Sequence, residues 1–364
     1  MEGSMKLLYI SKFPKKKDGG SVVSNQFLSL LSSLTHFSSL LKFEISSYSS
    51  NLNRFFSLFI LRGFGLSYTQ EREIVNLISA NNLSHVWIDG STYGWLVRLI
   101  AKKTNAKIFV FHHNVEFKYT LERIKSGEYI HVLFLLNTYI NEYLSIKYAD
   151  NTIVMNDRDI KNIHKLYPTQ SSDLKATIIP LPLKDRCAGM LFNTKPISLS
   201  KLIFIGSNFY ANRFGIKWFV DNVIDSVENE LLIIGQGMDS SLGINHPRVT
   251  IVGEVDNVDE YYVDSSIVIS PIFHGSGMKT KTAEAFMFNM YFLGTDESLV
   301  GYDVAGCSSV FRCNTADEFI NSIKRLTESV YKPSDSRKVY LQSNTLEVSQ
   351  RILLQSFQDK GTLN

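Results

Sequence analysis

Short apolar runs without polar alternation recur along the chain, each followed by a longer stretch with apolar residues every third or fourth position. Unalternated runs predict strands buried on both faces, and the intervening periodicity predicts helices that cover them. Strands are expected at residues 6–11, 85–88, 107–111, 152–155 and 176–180. Helices are expected at 22–34, 95–103 and 129–148, with another beginning near Asp157. Residues 184–200 break the rhythm and read as a linker. The pattern then restarts, with strands at 202–205, 231–234, 249–252, 267–270 and 291–294 and helices at 213–223, 258–263 and 279–288. The expectation is an α/β protein of two consecutive Rossmann-like, doubly wound domains facing across a cleft. The first spans 5–183 and the second 184–345. Residues 346–364 read as a C-terminal helix packing back on the first domain.

Composition leaves this picture in place and removes alternatives. The 364 residues are 44% hydrophobic and 20% charged, which is ordinary for a globular chain of two domains. A net charge of +3 is far from the field of a dedicated nucleic-acid binder. Cys187, Cys307 and Cys313 are odd in number and lack C-x-x-C spacing, so neither a disulfide framework nor a zinc site is expected. A reducing, cytosolic setting fits best. No apolar run reaches the ~18 residues of a membrane span; the nearest are 55–61 and 129–140. No signal peptide is visible, and Met1–Ser4 reads as an appended tag with Met5 as the natural start.

The polar residues gather at the carboxyl ends of the strands, where ligands of open α/β sheets bind. Gly275-Ser276-Gly277 precedes a helix, so its amides and the helix start favour an anion, and Lys279 and Lys281 add cations suited to a diphosphate. Lys281 and Glu284 share a helix face, which also allows a plain surface ion pair. Gly206, Tyr210, Asn212 and Arg213 follow a strand; an anion contact and a helix cap by Asn212 are equally open. Gly253 and Val255 read either as a base-binding stretch or as an ordinary turn. Gly19 and Gly20 allow close approach of a phosphate or sugar, or form a tight turn. His112, His113 and Asn114 end a strand; His112 reads as packing, and Glu116 is an acceptor-side candidate. Lys15, Lys16 and Lys17 read as a solvated or membrane-facing patch. Asp157-Arg158-Asp159 opens a helix, so capping and dipole complementarity are favoured over metal binding. Residues 51–66, with Phe55, Phe56 and Phe59, read as core ahead of a lipid contact.

Several stretches of the second half carry a family resemblance. They are Phe204-Ile-Gly-Ser207, Tyr210-Ala-Asn212, Trp218-Phe219, Leu232-Ile-Ile-Gly235, Val252-Gly-Glu-Val-Asp256 and Ser270-Pro271. Most specific is Gly275-Ser-Gly-Met-Lys-Thr-Lys-Thr-Ala-Glu-Ala285. Together they resemble the GT-B glycosyltransferases of group 1, family 4, which retain anomeric configuration. The resemblance implies a nucleotide-diphosphate sugar as donor, with the second domain as donor domain and the first as acceptor domain. It implies that Lys279 and Lys281 hold phosphates, that Glu284 accepts from ribose hydroxyls, and that His113 lies near the donor sugar. His113, Lys281 and Glu284 form the implied catalytic set. Gly19, Gly20, Gly206, Asn212, Arg213, Gly253, Val255, Gly275, Ser276, Gly277 and Lys279 are the implied donor-binding set.

Ser276 stands where many relatives carry a first glutamate, and the amides of Gly275–Gly277 are expected to substitute. No cofactor and no metal are expected, since lysine and arginine can neutralise the phosphates. The implied acceptor is a glycan or lipid-linked glycan of bacterial surface polysaccharide synthesis (O-antigen, capsule or exopolysaccharide). The implied location is the cytoplasm, with peripheral contact at the inner face of the plasma membrane. A non-catalytic partner subunit and a nucleotide-sugar epimerase are the alternatives on the same scaffold.

Overall fold

The unalternated apolar runs become strands because a strand covered on both faces has no use for a polar side. The computed structural model describes residues 5–12, 19–34, 36–46, 66–125, 127–168, 174–192, 199–262, 266–328 and 333–358. The expectations for Met1–Ser4, Lys15–Lys17 and Phe55–Leu61 fall outside these. The chain divides into two compact units, Met1–Pro182 with Ser349–Asn364, and Leu183–Val348.

The first unit holds β1 (Met5–Ser11), β2 (Phe37–Glu44), β3 (His85–Asp89), β4 (Lys107–Phe111), β5 (Asn151–Val154) and β6 (Ala176–Ile178). They form one sheet in the order β2-β1-β3-β4-β5-β6, and every pairing is parallel. All five residues of β3 are buried. Its helices are α1 (Gly19–Ser32), α2 (Tyr68–Ala80), α3 (Gly94–Lys103), α4 (Glu116–Lys125), α5 (Leu135–Tyr148) and α6 (Asp157–Leu166). A capping box between Ser67 and Gln70 starts α2. At α6 the cap is Asn156, whose side chain accepts from the Asp159 amide, while Asp157 and Asp159 occupy the positive first turn.

Two expectations here need correction. The helix expected over 129–148 is a 3-10 turn at Tyr129–Phe134 followed by α5. The turn leaves Tyr129, Ile130, Val132 and Leu133 exposed, so it has no buried stripe to sustain a helix. The helix expected from Val22 begins at Gly19, so both glycines open α1.

The second unit holds β7 (Lys201–Ile205), β8 (Glu230–Ile234), β9 (Val249–Gly253), β10 (Ser266–Ser270), β11 (Tyr291–Gly294) and β12 (Val310–Arg312). Their order is β12-β11-β10-β7-β8-β9, again all parallel. Around them lie α7 (Tyr210–Asn222), α8 (Thr280–Met287), α9 (Ala316–Thr327) and α10 (Arg337–Ser343). A core of Phe204, Phe219, Ile233, Ile269, Leu293 and Phe319 fills the space between sheet and helices. The last helix, α11 (Leu346–Gln358), ends against the first sheet, with Phe357 4.5 Å from the Phe109 ring and 5.3 Å from Phe37.

Each sheet reverses its winding once. In the first, β1 continues to β2 on one side while β3 lies on the other. In the second, β7 continues to β8 while β10 lies opposite. The carboxyl ends of β1 and β3, and of β7 and β10, flank these switch points, where an open crevice forms.

Candidate functional site

At the second unit's switch point, β7 leads into Gly206 and β10 ends in Ser270, from which residues 271–279 lead into α8. Close packing brings these loops together. A β-carbon on Gly215 of α7 would fall 1.9 Å from the Pro271 carbonyl oxygen. Gly235, at φ 144°, lets β8 turn against the Gly206 carbonyl, where a β-carbon would stand 2.0 Å away. Gly275 and Gly277 also take positive φ, of 136° and 66°. No side chain caps α8, whose preceding residue is Lys279, so the first-turn amides are left to the loop's surroundings.

The two lysines are treated differently. The Lys279 ammonium donates to Glu297 Oε1 at 2.7 Å and to the carbonyls of Gly277 at 3.0 Å and Ser276 at 3.3 Å. Its charge is matched, and it ties the loop to itself. The Lys281 ammonium donates to Asn212 Oδ1 at 2.7 Å and lies 4.5 Å from the centroid of the Phe204 ring. Among the described residues it has no carboxylate partner. Burial and then the neighbouring Lys279 charge lower its pKa to about 7. Lys281 and Glu284 do not pair with each other: Glu284 Oε1 accepts from Arg186 at 3.0 Å.

Asn212 serves α7 from inside its first turn. The helix starts at Tyr210, so the expected cap by Asn212 does not form; the residue before the helix is Phe209. The Asn212 amide instead donates to the Ser207 carbonyl at 2.8 Å, which turns its oxygen toward Lys281. Arg213 projects exposed from the same turn. Gly253 ends β9 at φ 80°, its carbonyl accepting from the Gly235 amide at 2.7 Å, and Val255 is half-buried just beyond. Met238, Asp239, Ile251, Val252 and Gly253 line part of a pocket of about 600 Å³ there.

In the first unit the switch point gathers around Asp89, at the end of β3. Its Oδ2 accepts from the Tyr9 and Ser11 hydroxyls, each at 2.9 Å, and its Oδ1 lies 2.7 Å from His113 Nε2. Ser24 Oγ of α1 is 3.4 Å from the same nitrogen. Burial pushes the Asp89 carboxyl up, but the His113 charge and the hydrogen bonds from His113, Ser24 and Tyr9 hold it below the ordinary carboxylate range. With Nε2 committed to Asp89, the ring orientation of His113 is fixed. Gly20 is exposed at the start of α1.

Behind His113 sits a second carboxylate. Glu142 of α5 is fully buried and accepts from the Glu116 and Phe117 amides at 2.8 and 3.0 Å, so it caps α4 from another helix. It also accepts from the Ser91 hydroxyl at 3.0 Å and the Tyr167 hydroxyl at 2.5 Å. His112 Nδ1 stands 3.5 Å from it, a charge contact and not a hydrogen bond. Glu116 is half-buried, with Asn114 donating to it at 3.3 Å. Burial, then the Glu142 charge, push the Glu116 carboxyl up to about 7.

Sequence reasoning missed Asp89 as a partner of His113, though its place at a strand end was a usable signal. It missed Glu142, Glu297 and Arg186, which lie in an apolar-periodic helix, a turn and a stretch read as linker. Among the described residues, no group of three His, Cys, Asp or Glu side chains could hold a metal ion. No described helix is long and apolar enough to cross a membrane.

Two parallel, doubly wound units with these switch-point loops define the GT-B architecture. Residues 200–329, within the second unit, match the model of the family described as glycosyl transferases group 1. Solved structures share the whole fold. Sucrose-phosphate synthase from Thermosynechococcus elongatus superposes with a TM-score of 0.65 at 13% identity, covering 97% of this chain and 98% of that one. The lipopolysaccharide outer core galactosyltransferase WaaB gives 0.64 at 13% identity, covering 98% of this chain and 100% of the other. Anabaena HepE in complex with UDP gives 0.63 at 11% identity, over 97% and 99%. No curated protein sequence matches the chain.

Proposed function

We propose that the protein transfers a sugar from a nucleotide-diphosphate donor to a glycan acceptor. The carrying observation is Lys281, an ammonium without a carboxylate partner beside an uncapped helix start. A diphosphate supplies the missing charge, and the amides of Gly275–Gly277 and the first turn of α8 complete the cradle. Lys279 shapes that loop, Arg213 stands ready beside it, and Glu284 accepts from the ribose. The Gly253–Val255 backbone, next to the pocket, receives the base. Similarity to HepE, solved with UDP and with UDP and glucose, supports uridine and a hexose as the first donor to try. In the first unit His113, aimed by Asp89, meets the sugar, and Glu116 takes the acceptor side. Retention of configuration and a surface-polysaccharide acceptor follow the family likeness. The exposed apolar side chains at 129–136 fit an interfacial contact with a lipid-linked acceptor.

Calorimetry with a panel of sugar nucleotides tests this reading. Lys281→Ala should weaken binding of the preferred donor by about 10- to 100-fold, the worth of a charge-assisted contact of roughly 1.5–3 kcal/mol. Equal affinity in variant and wild type would remove the assigned role. Binding without turnover on any acceptor would favour a non-catalytic partner, and isomerised donor without acceptor would favour an epimerase.

A further inference from the structure

Arg186 lies in the stretch that the sequence marks only as linker, yet its backbone is fixed on both sides. The Leu183 amide donates to the Asn344 carbonyl at 2.8 Å, and the Tyr340 hydroxyl donates to the Leu183 carbonyl at 3.0 Å. Asp185 pairs with Arg337 and accepts from the Cys187 amide at 2.8 Å. The Arg186 amide itself meets the Met287 sulfur at 3.4 Å. The side chain therefore leaves the backbone at one place, the end of α8. There its Nη2 reaches Glu284 Oε1 at 3.0 Å and Asp259 Oδ1 at 3.2 Å, and the guanidinium lies 5.5 Å from the Phe288 ring centroid.

This leaves Glu284 with one oxygen held and the other, Oε2, without a hydrogen bond among the described residues. Next to it, Tyr262 stacks on Phe288 with ring centres 4.6 Å apart, and among the described residues its buried hydroxyl has no hydrogen-bond partner. We infer that Arg186 is a positioning residue of the nucleoside site: it fixes Glu284 by Oε1, so that Oε2 faces a vicinal diol. The inference rests on the reading that Glu284 receives the ribose.

The charge argument is direct. Burial pushes the Glu284 carboxyl up, Arg186 is what opposes this, and Asp259 adds to the push. The other ionisable groups close by are Tyr262 beyond β9, Tyr302 beyond β11, and Lys281, three positions earlier on α8. Tyr262 and Tyr302 are neutral, since burial raises both. The Lys281 ammonium is turned to Asn212. Without Arg186, two neighbouring carboxylates lose their shared cation, and Glu284 takes up a proton at higher pH. A neutral acid accepts from a hydroxyl about half as strongly as a carboxylate.

The test uses the full chain and the tightest-binding of UDP, GDP, ADP and CDP, together with the 2′-deoxy form of that nucleotide. Arg186→Met should bind the ribonucleotide about tenfold more weakly than wild type in mildly acidic buffer, with the gap closing as pH rises. The deoxy nucleotide should lose much less, and Arg186→Lys should restore most of the affinity. An Arg186→Met pH profile parallel to wild type, or equal losses for both nucleotides, would overturn the inference. Glu284→Gln separates the two layers. If it weakens the ribonucleotide and the deoxynucleotide equally, the ribose reading falls. If it weakens the ribonucleotide selectively while Arg186→Met behaves as wild type, only the role of Arg186 falls.

Discussion

The two switch points are built on the same topology and treat charge in opposite ways. In the first unit the Asp89 carboxylate is surrounded by Tyr9, Ser11 and His113, all in one closed network. Glu142 is likewise saturated, by two amides and two hydroxyls. In the second unit Lys279 is matched by Glu297, but among the described residues Lys281 meets an amide oxygen and an aromatic face and no carboxylate. A buried network that is satisfied is scaffold; a half-buried cation left unmatched is a request for a ligand. The first unit thus holds an oriented histidine, while the second carries the cation that the proposed diphosphate would match.

The first way to break this comparison is to open the closed network. Asp89→Ala removes the buried carboxylate that His113 and two hydroxyls share. Removing one partner of such a pair costs on the order of 3–5 kcal/mol. Because Asp89 titrates below its ordinary range, its contribution is present above the unfolded carboxylate pKa and is lost as pH falls through the folded value. Urea unfolding near neutral pH should show the full loss, and the gap to wild type should narrow on acidification. A loss under about 1 kcal/mol would mean that the network holds nothing together.

The second way is to titrate the open site. Lys281 has a pKa of about 7 in the free protein, lowered by burial and by Lys279. A bound diphosphate favours its charged form, so binding takes up a proton above that pH and affinity falls as pH rises. Linkage gives a drop of roughly fiftyfold between about pH 7 and pH 9. A sugar nucleotide is the right probe, because its diphosphate is esterified at both ends and does not itself titrate there. Lys281→Arg should flatten the profile. A wild-type profile that is already flat would show that Lys281 is charged before the ligand arrives.

Both sheets and most helices could be read from apolar periodicity, because burial on two faces leaves an unmistakable run. The edge strands β2 and β12 could not. β2 mixes half-buried with exposed residues and includes Ser38 and Ser39, and β12 has three residues, none fully buried, so no apolar run marks either. At the site, Lys281 was legible because glycines, lysines and a helix start fall within a few residues of one another. Arg186 and Glu142 were not, since both act across more than twenty residues of sequence, on Glu284 and on the start of α4. Long-range pairing of charges is written in the fold, and local spacing carries no trace of it.

The smallest effect concerns an imperfection in the first unit. Glu116 stands at the start of α4 beside the saturated Glu142, and burial with that neighbouring charge raises its pKa to about 7 from 4.5. A raised carboxyl pKa means that the folded state holds a proton the unfolded state has lost. Stability therefore falls as pH rises from the unfolded value through about 7. Glu116→Gln keeps an oxygen for Asn114, and its backbone amide still reaches Glu142, so only the charge is removed. Partial exposure of the carboxyl discounts the shift, and the variant should gain on the order of 1 kcal/mol over wild type at about pH 8 and nothing at about pH 4. Unfolding midpoints measured across that range should diverge with rising pH. Parallel curves would show that Glu116 titrates alike in the folded and unfolded chain. The contrast between a balanced first unit and an unbalanced second would then be complete, and the proposed acceptor-side role of Glu116 would lose its neutral-range titration.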